Sequence, residues 1–178
     1  MPVLETPRLL LRPPRSSDMD ALYAFLGNPV AMRFTHHHGS LRECRRRLAA
    51  FEWQRRRTGY AAWAVVSRAD QNLVGWGGLY DDPFDTGWGA ELGYAFHPAA
   101  WGQGYATELA HACLDWADRV LALPGICAFT HPDNAASARV LHKAGFRPVR
   151  LIAGMNRILH RRLPGIWPIM QADPPGDR

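Results

Sequence analysis

No stretch of the 178 residues is apolar for long enough to cross a bilayer as a helix, which takes about 20 consecutive apolar residues. The opening MPVLETPRLLLR also lacks the basic-then-apolar pattern of a secretory signal. Cysteine is scarce: Cys44, Cys113 and Cys127 are widely spaced, odd in number and set in apolar surroundings. They form no C-x-x-C pair, so zinc-ribbon and dithiol chemistry is excluded, and reduced core residues in a cytoplasmic protein are expected. No internal repeat, low-complexity block or linker interrupts the chain. One domain over residues 1–170 is therefore expected, with QADPPGDR at the end read as a disordered tail over 171–178.

What is present is an ordinary globular composition, 47% apolar, long enough to bury a core. The formal charge of +5 comes largely from two arginine triplets, Arg45–Arg47 and Arg55–Arg57, on one predicted helix. A solvated helix surface accounts for them, and a nucleic-acid partner is not expected; the positive field would also suit a polyanionic nucleotide cofactor. His36, His37 and His38 form a run whose successive side chains diverge, so a polar loop is expected there and no metal site.

Periodicity divides the chain into short elements. Leu9–Leu11 read as a strand between Pro7 and Pro13. Ser17 reads as the N-cap of a helix carrying Leu22, Phe25 and Leu26, which stops at Gly27-Asn28-Pro29. Ser40 and Glu43 make a capping box for a second helix, with Leu41, Cys44, Leu48 and Phe51 on its buried face. AAWAVV (61–66) and LVGWGGLY (73–80) form a hairpin, and GAELGYAFHP (89–98) follows. A helix is predicted from about Tyr105 to Leu121, buried through Leu109, Ala112, Cys113, Trp116 and Val120. ICAFTH (126–131) is a short buried strand. ASARVLHKAGF holds the next helix, closed by Gly145, and PVRLIAG pairs with part of RILHRRLPGIWPIM. The fold class is mixed α/β, or α+β.

The informative stretch is HPAAWGQGYATELAHACLDWA, from His97 to Ala117. Strand, then Gly102-Gln103-Gly104, then helix leaves the first helical N–H groups free and without side chains to hold a ligand away. Such a turn suits a phosphate or pyrophosphate. Tyr105-Ala106 stands where a P-loop needs Lys-Ser/Thr, and Thr107 stands where a dinucleotide fingerprint needs its third glycine.

The run F-H-P-A-A-W-G-Q-G-Y-A instead resembles the acyl-CoA motif Q/R-x-x-G-x-G/A of the GNAT acyltransferase superfamily. Trp101 takes the Gln/Arg place, and Gly104 and Ala106 take the two small positions. Downstream, THPDNAASARVLHKAGF resembles the family element N-x-x-S-x-x-V-L-x-K-x-G-F through Asn134, Ser137, Lys143, Gly145 and Phe146. Upstream, ETPRLLLRPPRSSDMDALY is similar to the opening of the RimJ/RimL-type branch, which acetylates protein N-termini. The three segments stand in the expected order from about Glu5 to Phe146.

The resemblance implies a single domain with a central, bent, mostly antiparallel mixed sheet flanked by about four helices. Two strands, GAELGYAFHP and ICAFTH, would splay to admit acetyl-CoA. Backbone groups near Tyr94, Ala95 and Phe96, with an oxyanion donor near Ala95, would meet the pantetheine arm. Amides from Gly102 through Gln103, Gly104 and Tyr105 to Ala106 would hold the diphosphate, with His97 and Trp101 beside it. Glu91 is placed as a general base, or as a strand-edge carboxylate paired with an arginine. Glu108 fits a helix-dipole partner better than a catalyst. Many relatives carry a tyrosine proton donor where Leu141 stands here. Ser137 is the substitute donor that the RimJ/RimL branch suggests, and Asn134 would bond the pantetheine or cap the helix.

The acceptor groove would run between Phe34–His38 and Met155–Trp167, with Phe34, His37 and Trp88 as candidate contacts. The expected reaction is direct acetyl transfer to a primary amine, a protein or peptide α-amine ahead of a small amine such as a polyamine, amino acid or aminoglycoside. A non-catalytic acyl-CoA-binding module is the alternative of another class. No metal or membrane partner is expected, and the oligomer is left at monomer or homodimer.

Overall fold

The computed structural model describes residues 2–162; the segment LPGIWPIM and the tail QADPPGDR lie outside the described residues. In chain order the strands are β1 (Leu4–Glu5), β2 (Leu9–Arg12), β3 (Trp63–Ser67), β4 (Leu73–Tyr80), β5 (Glu91–Phe96), β6 (Ile126–Thr130), β7 (Arg147–Ile152) and β8 (Arg157–Arg162). The helices are α1 (Met19–Leu26), α2 (Leu41–Thr58), α3 (Tyr105–Trp116) and α4 (Ala135–Lys143). The strands form one sheet in the order β1-β2-β3-β4-β5-β6-β8-β7. Every pairing is antiparallel except β5 with β6.

Helices cover both faces. On one, Leu9, Leu11, Trp63, Leu79, Leu92 and Phe96 pack with Leu109, Cys113 and Trp116 of α3 and Leu141 of α4. On the other, Trp76 and Tyr80 pack with Leu22, Phe25 and Leu26 of α1 and Cys44, Leu48 and Phe51 of α2. Trp63, Trp76 and Trp116 are thus core residues, where an indole contributes most through buried area.

The feature that positions the site is the weak seam between β5 and β6. These strands share one register pair, Glu91 opposite Cys127, fixed by the Cys127 N–H donating to the Ala90 carbonyl at 2.9 Å. Beyond it they splay apart. Beside β5, by contrast, β4 pairs without interruption from Gly75–Phe96 to Tyr80–Glu91. The register shifts in the sheet lie elsewhere, between β3 and β4 at Val65/Val66 and between β7 and β8 at Pro148/Arg150.

Two expectations are corrected. Ser17 does not cap α1: residues Ser16–Asp18 form a short 3-10 turn. There the Asp18 carboxylate accepts from the Arg15 N–H at 2.6 Å and from the Arg12 guanidinium at 2.6 and 2.7 Å. An ion pair with β2, rather than a hydroxyl cap, starts this helix. Val120 is not buried but 64% exposed, because α3 widens into a π-type turn over Ala117–Leu121 and the extra residue per turn rotates the apolar stripe. Elsewhere the reading holds: the Ser40 hydroxyl accepts from the Glu43 N–H at 3.1 Å, and Gly145 follows α4 in the left-handed conformation.

Candidate active site

Between the splayed strands lies a cavity of about 490 Å³. It is bounded by β5, the end of β6, the first turns of α3 and α4, and residues 31–35 of the α1–α2 connection. Gly102 and Gly104 line one end with φ of +76° and +79°, values that residues with a Cβ adopt only with strain. The consequence is a loosely bonded turn: Trp101 and Gly102 form a hydrogen-bonded turn, and regular helical bonding starts where Thr107 and Glu108 donate to the Gly104 carbonyl. The backbone donors left over at such a helix N-terminus, at Gly104, Tyr105 and Ala106 on the cavity wall, fit a diphosphate.

This turn is held from behind. The Glu108 carboxylate accepts from the Thr6 hydroxyl (2.6 Å), the Arg8 N–H (2.9 Å) and the Arg8 side chain (2.7 Å). Arg8 also donates to the Gln103 carbonyl at 2.8 Å and lies over the Tyr105 ring. Glu108 is thus a structural anchor. The Gln103 side chain turns back to the Ala99 carbonyl at 3.0 Å. His97 lies off the cavity wall, where its Nδ1 accepts from the Ala99 N–H. Trp101 donates its indole N–H to the Phe96 carbonyl at 2.9 Å.

Strand parity decides which groups of β5 face the gap. Ala90 offers its carbonyl to β6, and His97 donates its N–H to Val74 on β4. Because successive residues alternate, the N–H of Leu92 points to β6 at the Glu91–Cys127 pairing, those of Tyr94 and Phe96 point into the cleft beyond it, and that of Ala95 points to β4. The donor expected near Ala95 is accordingly on one of its neighbours. Side chains alternate as well. Tyr94 and Phe96 lie on the α3 face, whereas Glu91, Gly93 and Ala95 lie on the α1/α2 face.

Glu91 sits on the cavity wall, its Oε1 accepting from the Tyr80 hydroxyl at 3.0 Å. Burial pushes its carboxyl up to about 8; repulsion from Asp82 adds to the shift, while Tyr80 and Arg157 oppose it. Among the described residues neither an arginine nor a lysine lies within ion-pairing distance, so the paired-carboxylate alternative is not what the structure contains. Gly93 makes room for this arrangement: a Cβ there would fall 2.0 Å from the Tyr80 hydroxyl oxygen.

On the opposite face, Ser137 Oγ lies 2.9 Å from the Tyr94 hydroxyl, a partnership that the sequence motifs do not indicate. Burial pushes the Tyr94 phenol up to about 12, so it remains a proton carrier. Asn134 caps α4 by accepting the Ser137 N–H at 3.1 Å, which fixes the serine at the cavity. Leu141, where the family resemblance led to the expectation of a tyrosine, is buried.

The acceptor-side residues separate. Phe34 lines the cavity and stacks on His131, ring centres 5.3 Å apart. His37 is exposed beside His36, away from the cavity. Trp88 packs edge-on against Phe129 at 5.0 Å in a separate cluster with Cys127, Ile152 and Leu159. The structure does not bring these last two to the cavity wall. In the histidine run, His36 bonds Glu43 at 2.8 Å and His38 is buried, its ring held down to about 4 by burial and by Arg47. No cluster of three or more metal-ligating side chains occurs among the described residues.

Comparison with known proteins identifies the family. A family model described as an acetyltransferase (GNAT) domain matches residues 8–147. The uncharacterized protein YkkB of Bacillus subtilis (strain 168) is 30% identical over 158 residues, spanning 86% of this chain and 90% of YkkB. The crystal structure of the acetyltransferase from Agrobacterium tumefaciens str. C58 superposes with a TM-score of 0.78 at 25% identity, over 91% of this chain and 94% of that one. RimL, a ribosomal L7/L12 α-N-protein acetyltransferase solved with coenzyme A, superposes with a TM-score of 0.75 at 18% identity, over 91% and 98%. At that identity the likeness is one of fold.

Proposed function

The chain belongs to the GNAT acetyltransferase family and is an N-acetyltransferase, and from that premise we propose that it moves an acetyl group directly from acetyl-CoA to the α-amine of a protein or peptide. The observation that carries this reading is the placement of Glu91 and Ser137. They approach one cavity from opposite faces of β5, and the glycine turn before α3 stands at its end.

Acetyl-CoA supplies the activated acetyl group. The amides from Gly102 to Ala106 bind its diphosphate, and the cleft-facing N–H of Tyr94 or Phe96 receives the charge that develops on the carbonyl oxygen. Glu91 takes the proton that the amine must lose. Its raised pKa suits this role, because a base near the pKa of an α-amine, ~8, is strong enough to deprotonate it and weak enough to release the proton afterwards. Ser137 gives a proton to the leaving thiolate, and Tyr94 at 2.9 Å replaces it. The buried thiols Cys113 and Cys127 are absent from the cavity wall, which favours direct transfer over a covalent enzyme intermediate.

The test is thiol release from acetyl-CoA with a panel of peptide and small-molecule amines, comparing the wild type with Glu91→Gln and Ser137→Ala. Loss of turnover in each variant, by roughly a hundredfold, with acetyl-CoA affinity retained, supports the assignment. Undiminished turnover in both refutes these proton-transfer roles.

A further inference from the structure

The amine acceptor can be narrowed by the chemistry of the cavity wall, on the premise of the acetyl transfer proposed above. Glu91 is the only acidic residue lining the cavity among the described residues, against four cations, Arg33, Arg139, Lys143 and Arg157. A polyamine site needs several carboxylates facing several ammonium groups. This wall has the reverse balance.

The four cations are not equivalent. Arg139 and Lys143 lie on α4, and Arg33 lies between the Phe34 and Trp101 rings, 4.8 and 5.8 Å from their centres. Arg157 instead opens β8, next to Asn156, and reaches across to residue 35. Its Nη2 donates to the Thr35 hydroxyl at 3.3 Å, and its charge acts on Glu91. Two further contacts cross the same gap, the Phe34–His131 stack and the bond between Asn156 Nδ2 and His131 Nε2 at 3.2 Å. The α1–α2 connection is thereby tied to the β7–β8 hairpin over the cleft.

A guanidinium carries five N–H donors in a planar fork. The bond to Thr35 uses one, and no carboxylate pairs with Arg157 among the described residues. An unneutralised fork that shares the cavity with the base Glu91 suits a bidentate carboxylate. We propose that the acceptor carries a carboxylate within a few bonds of its reactive amine and that Arg157 binds it, orienting the amine toward Glu91. The α-carboxylate of a free amino acid and the side chain of an N-terminal Asp or Glu are the two sources of that chemistry.

The experiment measures kcat/KM, at equal concentrations of neutral amine, for matched pairs differing only in this charge. Glycine is compared with glycinamide, and a C-terminally amidated peptide beginning with Asp with one beginning with Asn. The expected result is a preference for the carboxylate of roughly tenfold or more in at least one pair, and the pair showing it identifies the source. Arg157→Gln should erase that preference through KM, and Arg157→Lys should restore part of it. The ratio within a pair cancels any change that Arg157 makes to Glu91, because both members meet the same base.

Equal rates within both pairs would overturn the proposal. So would an Arg157→Gln variant that slows both members alike, since Arg157 would then only brace Thr35. Absence of thiol release with any amine would bring down the parent reading and this inference together.

Discussion

A carboxyl held at about 8 inside a protein is the residue on which the chemistry turns, and it has two measurable consequences. As a base, Glu91 works when ionised, so kcat/KM should rise with pH through about 8. The measurement needs an acceptor amine whose own pKa lies below about 6, so that the remaining limb belongs to the enzyme. Glu91→Gln should flatten it. The second consequence concerns stability. Glu91 is raised in the folded state relative to its ordinary 4.5, so the unfolded chain releases this proton first. The stability tied to the proton is complete below about pH 4.5 and is lost as pH rises through about 8. Thermal melts should therefore show Glu91→Gln gaining on the wild type between about pH 5 and pH 9, with the opposite trend contradicting the assigned burial.

Tyr94 is tested beside Ser137. If the tyrosine acts only through the serine, Tyr94→Phe should cost less than Ser137→Ala, and the double variant should cost no more than Ser137→Ala alone, because the two groups act as a unit. Ser137 could be singled out in the sequence because the family element N-x-x-S carries it, and Glu91 because of its place on the strand before the glycine turn. Tyr94 and Arg157 could not, since their significance lies in contacts across β5–α4 and across the cleft that no local pattern encodes.

At the scale of elements, the start of α3 is a device built from two distant segments. The glycines set the amides, and Thr6 and Arg8 grip Glu108 from the β1–β2 connection. Glu108→Gln should weaken that grip by about 1–3 kcal/mol and raise the KM for acetyl-CoA more than it lowers kcat. Gly104→Ala should do the same more sharply, because its Cβ must occupy a left-handed backbone at φ +79°. Steady-state kinetics with acetyl-CoA as the varied substrate checks both.

Periodicity found most of these elements: Leu73–Tyr80 stands as read, and α3 begins at Tyr105 as the glycine turn implies. It failed where geometry departs from the regular repeat. The π-type turn put Val120 in solvent, and the Asp18–Arg12 pair replaced a serine cap at α1. The short strand β1 has no pattern of its own and exists through pairing with β2.

At the scale of the whole molecule, function follows from one parallel seam in an otherwise antiparallel sheet. A β5–β6 pair held at Glu91–Cys127 alone leaves strand edges open, a cost the fold sustains because helices pack both faces of the sheet. Binding a ligand in that wedge selects the folded state, so coenzyme A should raise the melting temperature with the logarithm of its concentration relative to its Kd. The wedge could be inferred only through family resemblance; composition and local periodicity contain nothing about which strands fail to pair.

The central claim, that the backbone between Gly102 and Ala106 holds the diphosphate of an acyl-CoA, is tested most directly by a two-dimensional 15N NMR titration with coenzyme A and, separately, with pantetheine. The amides of residues 102–106 should move furthest with coenzyme A and stay nearly still with pantetheine, which has no diphosphate. Equal shifts with both compounds, or a loop unmoved while coenzyme A binds elsewhere, would contradict it.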